Sequence, residues 1–240
     1  MCPVSSKAVV LLSGGLDSST VAAIAKAENQ ELFALTIDYN QRHQVELDAA
    51  KRVAQFLGIR NQAVLPINLR LFGGSSLTDE IEVPKDVPQE HIGRSIPNTY
   101  VPARNTVFLS LALAYAETVG AGRIYLGVSA VDFSGYPDCR PEFLTAFERL
   151  ANTATKLGIE AAHSGLPGFQ IHAPLLHWSK AETILKGLEL GLDYSLTWTC
   201  YDPTPSGRSC GRCESCTLRQ QGFREAGISD PLEYEEKPLI

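Results

Sequence analysis

The sequence predicts an α/β fold with a parallel five-stranded sheet and helices on both faces. Short apolar runs typical of buried strands alternate with segments of helical periodicity along most of the chain. Such an alternation favours a parallel sheet, because each crossover helix returns the chain to the same end of the sheet. The composition, 44% hydrophobic and 20% charged residues, is typical of a globular domain with one sizeable core.

The predicted elements follow in a regular order. Strands are predicted at residues 8–12, 32–38, 62–67, 123–128 and 169–173, and helices at residues 18–27, 43–59, 104–120, 141–157 and 180–191. Residues 68–101 are rich in Gly, Pro and Ser without periodicity, and so long a loop is usually functional or mobile. We expect a main domain over residues 1–198 and a small C-terminal segment over residues 199–240 packed on it.

Charge and cysteine content narrow the class of protein. The 21 Lys and Arg residues and 27 Asp and Glu residues give a net charge of −6, which argues against an extensive nucleic-acid surface. No stretch has the ~20 apolar residues of a membrane span, and the first residues lack a signal-peptide pattern. We therefore expect a cytoplasmic protein without membrane association, whose six cysteines serve a metal or chemistry instead of disulfides.

The glycine-rich turn "LSGGLDSST" links the first predicted strand to the first predicted helix. Glycines allow close backbone approach, and the free N–H groups of a helix N-terminus attract phosphate. The turn has neither the lysine of a Walker P-loop nor the G-x-G-x-x-G dinucleotide pattern. The turn therefore predicts a phosphate site unlike that of kinases and GTPases. The alternative is a plain glycine turn in which Asp17 is the helix N-cap.

Two cations at predicted helix starts are candidates to supply the missing positive charge. Arg104 lies in "VPARN" and Lys180 in "PLLHWSKAE". A guanidinium binds a phosphate or a substrate carboxylate through two parallel hydrogen bonds. The alternative for each is an ordinary surface charge.

Four cysteines near the C-terminus have the spacing C-x9-C-x2-C-x2-C, in a loop rich in Gly, Ser and Pro. Four thiolates in one short loop favour a tetrahedral structural Zn²⁺ with no position open for catalysis. An iron–sulfur cluster is the alternative, but its pattern continues with x3-C-P, whereas "TLRQ" follows here. The predicted zinc ligands are Cys200, Cys210, Cys213 and Cys216.

The segment "LGVSAVDFSGYPDCRPEF" follows the fourth predicted strand and combines two acids, an aromatic ring and an arginine. Carboxylates accept hydrogen bonds from a purine-like ring, an aromatic side chain stacks on its face, and arginine binds a carboxylate. The alternative is a loop whose acids cap a helix and whose tyrosine packs in the core. We assign Cys139 as a small residue of this loop and not as a nucleophile. The candidate substrate residues are Asp132, Tyr136, Asp138 and Arg140.

The sequence resembles known enzymes at several of these motifs. "SGGLDS" resembles the signature of the PP-loop ATP pyrophosphatases, which cleave ATP between the α and β phosphates. The ordered set "SGGLDSST", "DYNQRH", "VPARN", "GVSAVDFSGYPDCR" and the four cysteines followed by "TLRQQGF" resembles the QueC family, from about residue 8 to about residue 225. Two departures are the longer insert at 71–100 and Asn40, where a glycine is expected.

The resemblance implies an adenine nucleotide alpha hydrolase-like fold and a carbon–nitrogen ligase of queuosine biosynthesis. It implies that 7-carboxy-7-deazaguanine, ammonia and ATP give 7-cyano-7-deazaguanine through an adenylated acid and an amide. It also implies a homodimer, one structural Zn²⁺ per chain, and ATP used with Mg²⁺. Asp17, Arg104 and Lys180 would be the catalytic residues, with Asp17 assisting Mg²⁺, while Tyr39, Gln41 and Arg42 would line the nucleotide or acyl side. The implied ATP site comprises Leu12, Ser13, Gly14, Gly15, Leu16, Asp17, Ser18, Ser19, Thr20, Val21 and Ala22.

The sequence is also compatible with two other classes of protein. One is another amide-forming or adenylating PP-loop enzyme, such as a GMP or NAD synthetase, which usually needs a glutaminase that does not fit in 240 residues. The other is a zinc-bearing RNA-binding or tRNA-modifying protein. The acidic charge and the lack of interleaved basic and aromatic residues argue against this second class.

Overall fold

The computed structural model describes residues 6–41, 43–88, 91–92, 95–129 and 136–235. Its five strands form one parallel sheet, as the sequence predicts. The strands lie in the order β3-β2-β1-β4-β5. Strand β1 is central, and its Val10 is in register with Ala34 of β2 and Tyr125 of β4. The strands are β1 (Lys7–Leu11), β2 (Glu31–Asp38), β3 (Asn61–Pro66), β4 (Arg123–Tyr125) and β5 (Gln170–His172).

Helices cover both faces of the sheet, which confirms the predicted layers. Because strand side chains alternate between faces, Val9 joins the core under α3 and α4, whereas Val10 joins the core under α1, α2 and α6. The helices are α1 (Leu16–Ala27), α2 (Val45–Phe56), α3 (Arg104–Val119), α4 (Pro141–Ala154), α5 (Lys156–Ser164), α6 (Lys180–Glu189) and α7 (Glu214–Glu225).

Several predicted elements were wrong in extent. The helix predicted over 43–59 spans only Val45–Phe56. The helix predicted over 141–157 ends at Ala154, because the Thr155 hydroxyl accepts a hydrogen bond from the N–H of Gly158 and starts the separate helix α5. The strand predicted over 123–128 ends at Tyr125. Beyond it, Gly127 passes over the start of α1, where an added Cβ would lie 2.8 Å from the Ser18 nitrogen. The early end of β4 thus brings the backbone against the glycine-rich turn.

The insert at 71–100 packs on the body of the protein where the structure describes it. Ser75 and Ser76 are fully buried, and Leu77 and Val83 belong to the main core. Lys85 forms an antiparallel bridge with Cys213, so the insert lies against the cysteine loop. Within the described ranges, no helix has both the length and the apolar character needed to cross a membrane.

The C-terminal segment packs closely on the sheet domain. Helix α7 contacts α6, and Phe223 of α7 shares a core with Ile184 of α6. Gly222 allows this approach, because a Cβ there would lie 2.4 Å from Cγ of Lys180. The division of the chain at residue 198 remains a prediction.

Candidate active site

A cavity of about 200 Å³ opens at the carboxyl ends of the central strands. This is the edge at which open parallel sheets bind their ligands. Of the residues predicted for ATP, Gly14 and Ser19 to Ala22 are not among those that line it; Ser19 and Thr20 are buried inside helix α1. The predicted residues that do line it are Leu12, Ser13, Gly15, Leu16, Asp17, Ser18, Tyr39, Gln41, Arg104, Tyr136 and Lys180.

The glycine-rich turn has a conformation that only glycine tolerates well. Gly14 has a φ of +83°, and an added Cβ would lie 2.3 Å from the backbone nitrogen of Ala50 in α2. The Ser13 and Ser18 hydroxyls are 3.0 Å apart and fix the turn. Gly15 is the N-cap of α1, so the alternative of Asp17 as N-cap is wrong. The first-turn N–H groups of α1 thus face the cavity with the helix dipole behind them.

Lys180 supplies a cation to this turn from helix α6. Its Nζ donates to both carboxylate oxygens of Asp17, at 2.7 and 2.9 Å. The side chains of Lys180 and Asp17 are only 8% and 20% exposed, so the surface-charge alternative for Lys180 is wrong. A capping box between Ser179 and Glu182 fixes the start of α6 and therefore the position of Lys180. The structure joins two predicted catalytic residues that are 163 positions apart.

Arg104 lies among aromatic rings at another part of the cavity wall. Its guanidinium is 6.0 Å from the ring centroids of both Tyr39 and Phe108. Burial raises the pKa of Tyr39 to about 12, and the nearby Arg104 acts in the opposite direction. Burial also raises the pKa of Tyr136 and of Tyr201, which line the same cavity. This region therefore offers one cation and three protonated phenols.

Glu46, in the first turn of α2, is a cavity residue that the sequence analysis missed. Burial raises the pKa of its carboxyl to about 7, and the charge of Arg104 opposes that rise. An acid in the first turn of a helix is favourable on any protein surface, so sequence alone gave no reason to single it out. The structure places this acid in the wall of the cavity, where burial raises its pKa.

The three predicted substrate residues that the structure describes have different surroundings. Tyr136 lines the cavity, and its hydroxyl is 2.9 Å from that of Thr99. The Asp138 carboxylate accepts a hydrogen bond from the N–H of Asn105 at 3.0 Å, so it caps helix α3. Arg140 is exposed and is not among the lining residues. Asp132 and Arg42 lie outside the described residues.

Cys139 forms part of the cavity wall between Tyr136 and the start of α4. Its thiol accepts a hydrogen bond from the Asn105 side chain at 3.4 Å. Burial raises the pKa of this thiol to about 12. Since the thiolate is the nucleophilic form, Cys139 is poorly suited to attack a substrate.

The four predicted metal ligands form a buried cluster. The Sγ atoms of Cys200, Cys210, Cys213 and Cys216 all lie within 4.8 Å of one another. Backbone N–H groups donate to the sulfurs, as from Cys210 to Cys200 and from Cys213 to Cys210, each at 3.3 Å. Such bonds stabilise thiolates, and four thiolates are the donor set of a closed tetrahedral site. The cluster fits a structural metal ion.

Arg219 of α7 is a second residue missed at the sequence level. It is 1% exposed and pairs with Asp230 through two hydrogen bonds of 2.8 and 3.0 Å. It also donates to the hydroxyls of Thr197 and Thr199 at 2.7 and 3.0 Å. Between these threonines, the N–H of Trp198 donates to the Gly14 carbonyl at 2.9 Å. Arg219 therefore braces the segment that supports the glycine-rich turn.

The parallel sheet, the glycine-rich turn without a lysine, and the lysine supplied from α6 define an α/β nucleotide-binding protein of the PP-loop class. Residues 7–227 match the sequence profile of the family described as "Queuosine biosynthesis protein QueC". The chain belongs to the QueC family.

Curated relatives match over nearly their whole length. The 7-cyano-7-deazaguanine synthase of Rhizorhabdus wittichii is 58% identical over 95% of this chain and 95% of its own. The protein of the same name from Myxococcus xanthus is 56% identical over 96% of this chain and 98% of its own. Among solved structures, the NMN synthetase from Francisella tularensis has 16% identity and a TM-score of 0.47, covering 95% of this chain and 74% of that one.

Proposed function

We propose that this chain is an ATP-dependent ligase that converts 7-carboxy-7-deazaguanine and ammonia into 7-cyano-7-deazaguanine, for queuosine biosynthesis. One observation carries the assignment to this site: a single cavity contains both the glycine-rich turn with its Asp17–Lys180 pair and the Arg104 guanidinium. The first group of residues suits a pyrophosphate. The second suits a planar acid, with the guanidinium on the carboxylate and tyrosine rings beside the heterocycle.

The reaction needs activation because a carboxylate is a poor electrophile. In the first half, a carboxylate oxygen attacks the α-phosphorus, the bond from that phosphorus to the β-bridging oxygen breaks, and pyrophosphate leaves. Ammonia then displaces AMP from the acyl carbon and gives the amide. A second adenylation, now on the amide oxygen, lets that oxygen leave with AMP as the nitrile forms.

The residues of the chain act by position and charge. The first-turn N–H groups of α1 and the hydroxyls of Ser13 and Ser18 hold the departing pyrophosphate, and Lys180 neutralises it. Asp17 would hold the Mg²⁺ that accompanies ATP and offsets the phosphate charge. Arg104 orients the acid. No covalent enzyme intermediate is required, which agrees with the protonated state of Cys139.

Within the predicted substrate set, we propose that Tyr136 packs against the heterocycle. Asp132 and Arg140 remain proposed recognition residues of the same segment. We propose that Asp138, by capping α3, positions Arg104 at the first residue of that helix.

Several finer assignments rest on family membership and on the donor set. We propose that the cysteine cluster binds one Zn²⁺ per chain and that residues 199–240 form a small metal-stabilised segment on the domain of residues 1–198. We also propose that the protein works as a cytoplasmic homodimer on small molecules, without a nucleic-acid partner.

The test is a reaction of the purified protein with Mg-ATP, ammonium and 7-carboxy-7-deazaguanine, followed by mass spectrometry of bases and nucleotides. We expect the nitrile together with AMP. Lys180→Met should lower kcat/KM for ATP by about 10²–10³-fold, because it removes a cation preorganised at the leaving group. Lys186→Met changes a partly exposed lysine of the same helix and is the matched control. No turnover of this acid by folded, zinc-loaded protein would overturn the assignment.

A further inference from the structure

Glu46 forms part of the wall of two neighbouring cavities. One is the large cavity that holds the proposed nucleotide and acid sites. The other has a volume of about 10 Å³, which is enough for one molecule of the size of water or ammonia. The residues that line the small cavity are Tyr39, Gln41, His43, Glu46, Leu77 and Tyr201.

The groups around the small cavity suit a small cation that donates hydrogen bonds. Within the described part of the chain, no donor forms a hydrogen bond with the Glu46 carboxylate. The Gln41 side-chain oxygen accepts a bond from the N–H of Tyr39 at 3.1 Å and has a further lone pair. The hydroxyls of Tyr39 and Tyr201 add acceptors, and their rings favour a cation. A carboxylate among phenols and an amide matches the four N–H donors of ammonium.

We infer that Glu46 and the small cavity bind ammonium and that Glu46 takes the proton that converts ammonium into the nucleophile ammonia. This inference rests on the proposed function and names the site at which its nitrogen donor enters. Glu46 also faces the large cavity, so ammonia formed beside it is released toward the activated acid.

The reaction removes four protons from the nitrogen of ammonium, so the base must return to its carboxylate form after each transfer. An N–H bond of ammonium breaks and its proton moves to a Glu46 oxygen. The nitrogen lone pair attacks the acyl carbon, the bond to the AMP oxygen breaks, and the attacking nitrogen loses a second proton. Nitrile formation removes the last two N–H protons as the amide oxygen leaves with AMP. A carboxyl that titrates near neutrality can accept each proton and pass it to solvent.

Other charged and titratable groups lie near Glu46, and they influence how the rate of the proposed reaction depends on pH. Arg104 of α3 favours the carboxylate form. Tyr39, after β2, stays protonated because burial raises its pKa. Tyr201, directly after Cys200, lines the small cavity. His43 lines the small cavity from the start of the α2 segment. Burial raises the pKa of the Glu46 carboxyl itself to about 7.

The experiment compares Glu46→Gln with the wild-type protein in two assays. Pyrophosphate release from ATP and the acid without ammonium reports the first adenylation, and nitrile formation reports the complete reaction. We expect kcat/KM for ammonium to fall by about 10²–10⁴-fold, the usual contribution of a positioned base, while the first adenylation stays within about twofold. The variant should recover as pH and ammonium concentration rise, because free ammonia then replaces the missing base.

Asp48→Asn is the matched control, because Asp48 is an exposed acid of the same helix paired with Lys51. If Glu46→Gln does not fold, Glu46→Asp carries the test, since its retracted carboxylate should raise KM for ammonium without slowing the first adenylation. Unchanged ammonium dependence in either folded variant would overturn the inference, as would equal loss in both assays. Absence of adenylation in the wild-type protein would instead overturn the proposed function, so the two failures are distinguishable.

Discussion

The buried ion pair between Arg219 and Asp230 allows a quantitative prediction for Arg219→Met. The side chains are 1% and 9% exposed, so neither charge is well solvated. Methionine fills much of the volume of the arginine stem but removes the guanidinium. The change therefore leaves the Asp230 carboxylate buried without its cation and removes the donors to Thr197 and Thr199.

The magnitude follows from what remains around Asp230. Removing one partner of a buried pair costs about 3–5 kcal/mol, mostly because the other charge is left uncompensated. Asp230 keeps the N–H of Leu232, at 3.0 Å, and the hydroxyl of Tyr234 as donors. These two bonds place the loss near the lower limit, at about 3 kcal/mol. For a chain of this length, that loss lowers the midpoint of thermal unfolding by about 6–12 °C.

The assay is thermal unfolding followed by circular dichroism, at a fixed protein concentration and with a fixed concentration of added Zn²⁺. Arg224→Met is the matched control, because Arg224 is exposed on the same helix and should change stability by no more than about 0.5 kcal/mol. The double variant Arg219→Met with Asp230→Leu removes the orphaned charge and should regain much of the loss. The Arg219 variant should also raise KM for ATP, because Trp198 supports Gly14 from between the two threonines.

A loss below about 1 kcal/mol for Arg219→Met would refute the reasoning, because the pair would then contribute no more than an exposed one. A double variant less stable than Arg219→Met would refute it as well, since the uncompensated carboxylate would not be the source of the cost.

Three further predictions follow from the geometry. Gly14→Ala should destabilise the fold by about 2 kcal/mol or more and abolish ATP binding, because the new Cβ would lie 2.3 Å from the Ala50 nitrogen and φ is +83°. Thermal unfolding measures the first effect and calorimetry the second. Stability and ATP binding equal to those of the wild-type protein would contradict the described turn. Treatment with a strong chelator, or the substitution Cys213→Ser, should release the zinc expected in this site, as detected by metal analysis. Either change should also lower the midpoint of thermal unfolding, because the cysteine loop has little apolar core of its own. Retention of zinc by Cys213→Ser would argue against the four-thiolate site. Burial raises the pKa of Glu46 from the ordinary 4.5 to about 7, so between these pH values the native state binds this proton more tightly than the unfolded state does. The contribution of Glu46 to the free energy of unfolding therefore falls as pH rises through that range. Glu46→Gln should lack this fall in urea titrations at several pH values, and a pH profile identical to that of the wild-type protein would contradict the shift.

Local sequence signals predicted the sheet and the phosphate turn because their causes are local. The first buried strand is a short apolar run closed by glycines, so the glycine-rich turn follows directly from it. The order of strands in the sheet was not predictable in the same way, because it depends on how the crossovers pack. Hydrophobic periodicity did not predict the break at Thr155, where the hydroxyl of one residue ends the helix that the periodicity suggests is continuous.

Residues whose roles depend on distant partners were harder to assign. Lys180 looked as much like a surface charge as like a phosphate ligand until α6 placed it on Asp17. Arg219 lies in a polar helix with nothing in its neighbourhood to mark it as buried. Asp138 was expected to contact a heterocycle, and the structure directs its carboxylate to the start of α3. In each case the missing information was the identity of the group that burial brings into contact.

The position of Lys180 explains why the glycine-rich turn needs no lysine of its own. The cation comes from α6, and the stem of its side chain passes Gly222 of α7, where an added Cβ would lie 2.4 Å from Cγ. Helix α7 begins directly after Cys213 and includes Cys216, so the cysteine loop and the packing around this lysine share one rigid element. Through Arg219 the same helix braces Thr197 and Thr199 on either side of Trp198. Two routes thus connect the cysteine cluster to the phosphate turn, and a metal ion there would stabilise both the lysine and the backbone that the proposed chemistry requires.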